Sequence, residues 1–126
     1  MDKVARLSAS DRAALFGETA AGRGVANTII EKDFWVCWTL RRVFSLPPGE
    51  TASLVFKGGT SLSKAYGGLI QRFSEDIDVT VFRDDIGEPA TIEELNALSG
   101  NKRRARLDAI KDACQAYING PLRAEI

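Results

Sequence analysis

Two aspartates, Asp76 and Asp78, stand one residue apart near the middle of the chain. From Asp76 to Val81 polar and apolar residues alternate, which predicts a β-strand with both carboxylates on one face, about 7 Å apart along the backbone. Two carboxylates this close repel each other, and a divalent cation between them removes the repulsion. Such oxygen ligands suit Mg²⁺ or Mn²⁺. The alternative is an exposed strand whose polar face meets water, although aspartate is a poor strand former.

A second candidate site precedes the aspartates, in the segment Phe56-Lys57-Gly58-Gly59-Thr60-Ser61. The apolar residues 54–56 predict a short strand, and the two glycines let the backbone turn tightly and leave room for a phosphate to approach. Backbone N–H groups at the start of the following helix favour an anion, and the hydroxyl groups of Thr60 and Ser61 add donors. The alternative is an ordinary strand-to-helix turn with a Thr or Ser cap.

The elements that must position these residues are mostly helical. Residues 1–46 predict N-terminal helices, the first of which starts at Ser8. Residues 54–82 predict a strand, the glycine turn, a helix and a second strand. Residues 91–120 predict C-terminal helices, the first opened by the capping box of Thr91 and Glu94. Residues 121–126 predict the start of another strand, so we expect the chain to be the N-terminal portion of a longer protein.

Composition narrows the class of protein. A length of 126 residues predicts a single domain over 1–126, and 17 basic against 17 acidic residues leave no net charge to attract a polyanion. The absence of histidine excludes a histidine general base and the usual zinc sites. Cys37 and Cys114 fall in apolar helical patterns, which favours free thiols over a disulfide. With no signal peptide and no apolar run of transmembrane length, the sequence predicts a soluble cytoplasmic protein with no membrane partner.

Three separated segments, in this order, resemble the AbiEii-type nucleotidyltransferase toxins of bacterial abortive-infection and toxin–antitoxin systems, a branch of the polymerase-beta-like nucleotidyltransferases. The resemblance covers roughly residues 27 to 82. It implies an α/β (α+β) fold in which N-terminal helices pack on a small mixed sheet. The segments that carry it are Ile30-Glu31-Lys32-Asp33-Phe34-Trp35, Phe56-Lys57-Gly58-Gly59-Thr60-Ser61-Leu62-Ser63-Lys64-Ala65-Tyr66 and Arg72-Phe73-Ser74-Glu75-Asp76-Ile77-Asp78-Val79.

The resemblance also implies a role for each matching residue. Asp76 and Asp78 would be the catalytic carboxylates and the ligands of Mg²⁺ or Mn²⁺. The glycine turn would hold the triphosphate of an NTP. The nucleotide- and phosphate-binding residues implied in this way are Lys57, Gly58, Gly59, Thr60, Ser61 and Ser74.

The function implied is metal-dependent transfer of a nucleoside monophosphate from an NTP to a hydroxyl group of RNA, with tRNA as one acceptor, or of a protein. Such an enzyme would be a toxin with a cognate antitoxin encoded nearby. One departure from the family pattern is that a third carboxylate on a later strand is not identifiable, and Glu125 is the only late acid near a predicted strand. The alternative is therefore a non-catalytic fragment that binds nucleotide or a partner.

Two charged segments each allow two interpretations. The basic run Lys102–Arg106 opens a predicted helix, where it either forms a solvated face or grips RNA phosphates. The segment Glu31-Lys32-Asp33 interrupts an apolar helix and is either an ion-paired surface turn or a support behind the glycine turn.

Overall fold

A computed structural model describes residues 1–46, 52–64 and 74–126 of the chain. Helices make up most of it. They are α1 Asp2–Ala5, α2 Ala9–Arg23, α3 Asn27–Val43, α4 Gly58–Lys64, α5 Ile92–Ala97, α6 Gly100–Tyr117 and α7 Arg123–Glu125, with a 3₁₀ turn at Arg83–Ile86 and a π turn at Ile118–Leu122. The strands are β1 Leu54–Lys57 and β2 Asp78–Val81. None of the described helices is long and apolar enough to cross a membrane.

The predicted α+β class is confirmed, with a sheet of two antiparallel strands in the described residues. At one end the carbonyl of Ser53 accepts from the N–H of Phe82, and at the other Gly58 adjoins Asp78. The mixed sheet expected from the resemblance would need a further strand, which the described ranges do not contain.

The strand predicted over residues 76–81 is shorter in the structure, where β2 starts at Asp78 rather than at Asp76. Its partner β1 ends at Lys57, where the chain turns into α4. Asp76 therefore has no β1 residue to pair with and lies just before the strand, so the placement of both aspartates within one strand was wrong. The alternation is seen only at the start of the segment: Asp76 and Asp78 are exposed and Ile77 between them is half-buried, whereas residues 79–81 are all half-buried.

The chain groups into two compact units, unit 1 (Met1–Arg42 and Lys57–Asp78) and unit 2 (Val43–Phe56 and Val79–Ile126). Whether they form the single predicted domain stays a prediction. In unit 1 the N-terminal helices share an aromatic core in which the rings of Phe16 and Phe34 are 5.2 Å apart. Helix α2 begins as predicted, since Ser8 Oγ accepts from the N–H of Asp11, and it ends at Gly24 with φ 65°.

Unit 2 has its own core, centred on Ala52, Tyr117 and Leu122. The predicted capping box of α5 is present: the N–H of Glu94 donates to Thr91 Oγ1, and the N–H of Thr91 donates to the Glu94 carboxylate. Both cysteines are free thiols, as predicted, and both are half-buried.

The structure of residues 118–126 differs from the prediction. Residues 121–126 were expected to enter a strand, but α6 continues through the π turn Ile118–Leu122 into α7. Pro121 lies inside that turn. Proline lacks an N–H group and clashes with the carbonyl four residues earlier in an α-helix, and the wider π turn accommodates it without ending the helix. Leu122 is then buried in the core of unit 2.

The Asp85→Asn variant is expected to destabilise unit 2 in a pH-dependent way. The backbone N–H of Ser53 donates to Asp85 Oδ2 at 2.7 Å, and this bond lowers the pKa of Asp85. A lowered pKa stabilises the fold fully above the ordinary aspartate pKa of about 3.9, and the contribution is lost as the pH falls through the folded value. Urea unfolding should therefore separate variant from wild type at pH 7 and bring them together at low pH. A difference that does not change with pH would contradict this.

Candidate functional site

The glycine turn lies between β1 and α4. Strand β1 ends at Lys57, whose side chain is exposed, and α4 begins directly at Gly58. Gly58 has a φ of +77°, a conformation that residues with a Cβ rarely adopt. The predicted strand–turn–helix order is confirmed for the described residues, and the positive φ explains why a glycine stands first. The remainder of the predicted helix, from Ala65 onward, lies outside the described residues.

The carboxylate of Asp78 lies against the backbone of Gly58. A Cβ built on Gly58 would lie 3.2 Å from Asp78 Cβ and 3.0 Å from its Cγ, and closer still to Oδ2. Only a residue without a side chain leaves room for the carboxylate at this place. The structure therefore brings one of the two predicted metal ligands onto the predicted phosphate turn, and both belong to unit 1.

The hydroxyl groups of the turn face the protein interior. Thr60 is 1% exposed, and its Oγ1 lies 2.6 Å from Ser74 Oγ in a hydrogen bond. Ser61 is also buried, and Ser74 Oγ lies 3.6 Å from the position that a Cβ on Gly59 would take. Thr60 and Ser74 thus join α4 to the segment before β2. A phosphate bound at this turn would meet backbone N–H groups, because the Thr60 hydroxyl is already paired.

The Ser74→Ala variant is expected to lose about 1–2 kcal/mol of unfolding free energy, because it leaves a fully buried Thr60 hydroxyl without its partner. Thr60→Val removes the other end of the same bond and should cost less, since the half-buried Ser74 can turn to water. Urea unfolding of the two variants provides the comparison. Equal costs would show that the unpaired Thr60 hydroxyl carries no larger penalty than the unpaired Ser74 hydroxyl.

Asp76 is exposed, two residues before β2, and its carboxylate is accessible to a ligand. The described residues contain no group of three or more Cys, Asp or Glu side chains placed to hold a metal ion. Glu125, the late acid weighed as a third ligand, lies in helix α7 of unit 2 rather than in a strand. The described part of the site therefore offers two carboxylates and a backbone turn.

The role of Lys32 and Asp33 was left open by the sequence. In the structure each of the two residues forms an ion pair. Asp33 accepts a hydrogen bond from Lys64 Nζ at the end of the described part of α4. Lys32 pairs with Glu75, between Ser74 and Asp76. Lys64 and Glu75 lie in the segments that carry the family resemblance, but the sequence assigned neither of them a role. The signal that pointed to their partners was a charged interruption, at residues 31–33, in the apolar pattern of α3.

Lys64 stays charged in this setting. Burial by itself would lower the pKa of Lys64, but the hydrogen bond to Asp33, the charge of Asp33 and the nearby Cys37 together raise it above its ordinary value. The raised pKa therefore keeps the positive charge of Lys64 beside Asp33 at neutral pH.

Part of the basic run Lys102–Arg106 forms contacts within unit 2. Arg103 donates to the carbonyls of Leu95 and Asn96 at the end of α5, at 2.9 and 3.0 Å. Arg106 forms an ion pair with Glu88. These contacts favour a structural role for half of the run and leave Lys102 and Arg104 on an exposed surface.

Comparison with known proteins places this arrangement in a family. No curated protein and no solved structure matches the chain. A family model described as nucleotidyl transferase AbiEii toxin, type IV toxin–antitoxin system, matches residues 38–126. The match includes both strands, the glycine turn and all eight predicted site residues, and it extends past the predicted resemblance through the C-terminal helices. The chain therefore belongs to the AbiEii family of nucleotidyl transferase toxins of type IV toxin–antitoxin systems, the family that its motifs resemble.

Proposed function

We propose that this protein is a metal-dependent nucleotidyltransferase that moves a nucleoside monophosphate from an NTP to a hydroxyl group of RNA, with tRNA as one acceptor, or of a protein. The observation that carries the proposal is the position of the Asp78 carboxylate on the backbone of Gly58. An acid that lies beside a glycine turn would place a metal ligand next to the position expected for a phosphate. Family membership supports the same reaction class.

The donor set fits Mg²⁺ or Mn²⁺ carried by a nucleotide. Mg²⁺ is commonly held in proteins by one or two carboxylates, with water and substrate phosphates completing the octahedron. Asp76 and Asp78 are both exposed and could supply those two carboxylates.

Each residue of the site has a task in this reaction. The acceptor oxygen bonds to the α-phosphorus, and the bond from that phosphorus to the oxygen shared with the β-phosphate breaks. Pyrophosphate leaves with the electron pair of that bond, and the proton of the acceptor hydroxyl passes to water. Lys57 provides a positive point charge beside the turn, and backbone N–H groups of α4 face the triphosphate. Asp76 and Asp78 would hold the metal ion, which neutralises phosphate charge and activates the attacking hydroxyl when bound.

The biological setting follows from the family. A toxin of a type IV system has a cognate antitoxin as its partner. NTPs and RNA meet in the cytoplasm, which agrees with the predicted location.

A second candidate function is a non-catalytic module that binds a nucleotide and does not turn it over. The observation that favours it is that the described residues contain no group of three or more acidic or thiol side chains placed to hold a metal ion, so no third ligand joins Asp76 and Asp78. This candidate shares the glycine turn and the acidic pair with the first and differs only in turnover.

Two measurements separate the candidates. Calorimetric titration of the purified protein with each NTP, with and without Mg²⁺, reports binding. Incubation with α-³²P-labelled NTPs and total RNA reports transfer to RNA or to the protein itself. Metal-dependent labelling supports the proposed enzyme, and binding without labelling supports the module. No binding of any NTP would contradict both.

A further inference from the structure

Two consecutive residues of α3 contact both halves of the candidate site. Asp33 accepts from Lys64 of α4, the helix that follows the glycine turn, and Lys32 pairs with Glu75 of the segment that leads to Asp78. Neighbouring residues on an α-helix point about 100° apart, so one short stretch of α3 can reach two separate segments. All four residues lie in unit 1. Lys32 and Asp33 precede residue 38, where the family match begins.

We propose that Lys32 and Asp33 are positioning residues, which hold α4 and the Ser74–Asp76 segment in the relation that nucleotide and metal binding require. The inference rests on the proposed function. It assigns to α3 a role in the site that neither the glycine turn nor the acidic pair reveals.

The site needs such support because the residues that would meet the ligand come from two segments. The Thr60–Ser74 hydrogen bond and the contact of Asp78 with Gly58 join these segments directly. Both contacts are local to the turn. The ion pairs from α3 add a second attachment on each segment, and two attachments restrict rotation that one would permit.

The two ion pairs should differ in strength. The side chain of Lys64 is 21% exposed and that of Asp33 is 46% exposed, whereas Lys32 and Glu75 are 54% and 44% exposed. Water screens the second pair more strongly, so its contribution should be the smaller. Lys32 has a further effect, because it offsets the negative charge of Glu75 next to Asp76. Without it, the repulsion between these neighbouring carboxylates would disturb the segment.

The proposal predicts which ligand each pair affects. Asp33→Asn or Lys64→Met should raise the Kd for the NTP, because α4 carries the phosphate turn, by a factor of roughly 3–10. Lys32→Met or Glu75→Gln should raise the Mg²⁺ concentration that gives half-maximal NTP binding, by roughly 2–3-fold, because this segment carries Asp76. Each double variant should change its constant by less than the product of the two single changes, which marks a coupled pair.

Glu31→Gln is the matched control, since Glu31 is an exposed acid on the same helix with no partner among the described residues. It should change neither constant. If Asp33→Asn and Lys32→Met lower the unfolding free energy but leave both constants as in Glu31→Gln, the pairs only stabilise the fold and the proposal is overturned.

Hydrogen exchange of the free protein keeps this test separate from the test of the proposed function. We expect Asp33→Asn to lower the protection of the amides at 57–64, and Lys32→Met to lower it at 74–78, while Glu31→Gln leaves both unchanged. If the wild type binds no NTP, the proposed function fails, and this loss of protection still supports positioning. Unchanged protection in both variants would overturn the positioning role even if the wild type is an active enzyme.

Discussion

The Asp78→Asn variant is expected to lose nucleotidyl transfer by a factor on the order of 100 or more, while its unfolding free energy changes little. Asparagine has nearly the same shape as aspartate, so the contact with Gly58 is preserved. The negative charge is lost, and a neutral amide is a far weaker ligand than a carboxylate for Mg²⁺. The measurement is transfer of label from α-³²P-NTP, with growth arrest on induction in cells as a second readout. Asp76→Asn should behave in the same way.

Asp108→Asn is the control for this prediction, because Asp108 is an exposed acid on α6 with no partner among the described residues. It removes the same charge from the protein and should leave transfer and growth arrest at wild-type levels. An Asp78→Asn variant that still transfers nucleotide, or that still arrests growth, would show that Asp78 is not part of the active site.

The Gly58→Ala variant is expected to lose both activity and stability. A residue with a Cβ at a φ of +77° is strained by about 1–2 kcal/mol. The new methyl group would also overlap the Asp78 carboxylate and displace it from the turn. We therefore expect a loss of transfer comparable to that of Asp78→Asn, on the order of 100-fold, together with an unfolding free energy lower by at least about 2 kcal/mol.

Gly87→Ala isolates the backbone strain from the overlap. Gly87 has almost the same φ, +78°, but a Cβ built there has no neighbour within 4 Å. It should lose stability from strain alone and keep full activity. The Gly58→Ala, Asp78→Ala double variant should lose less stability than the two single changes predict together, because only the Asp78 Cβ, at 3.2 Å, remains close. If Gly58→Ala and Gly87→Ala cost the same, no overlap with Asp78 exists.

Local features of the chain were predictable because their causes lie within a few residues. Ser8 caps α2 by accepting from a backbone N–H three residues later, and Thr91 and Glu94 form a capping box over the same short distance. Gly24 ends α2 by adopting a left-handed conformation that glycine favours. Such signals depend on backbone geometry and not on the rest of the fold.

Other features depended on contacts between distant segments. The role of Thr60 at a phosphate stays a prediction, and only the tertiary structure shows that its hydroxyl pairs with Ser74 in the interior. The strand predicted at residues 121–126 is helical, since the π turn accommodates Pro121 and places Leu122 in the core of unit 2. In each case the local sequence permitted more than one structure, and packing selected one of them.

The sequence by itself determined the two halves of the site: a glycine turn between a strand and a helix, and a pair of aspartates one residue apart. It also determined the family, through the order of its motifs. Only the tertiary structure decided that Asp78 lies on Gly58 and that Asp33 of α3 reaches Lys64 of α4. The reason is physical. Residue types and spacing set what a segment can do, whereas the meeting of distant segments depends on strand pairing and helix packing, which short-range periodicity does not specify.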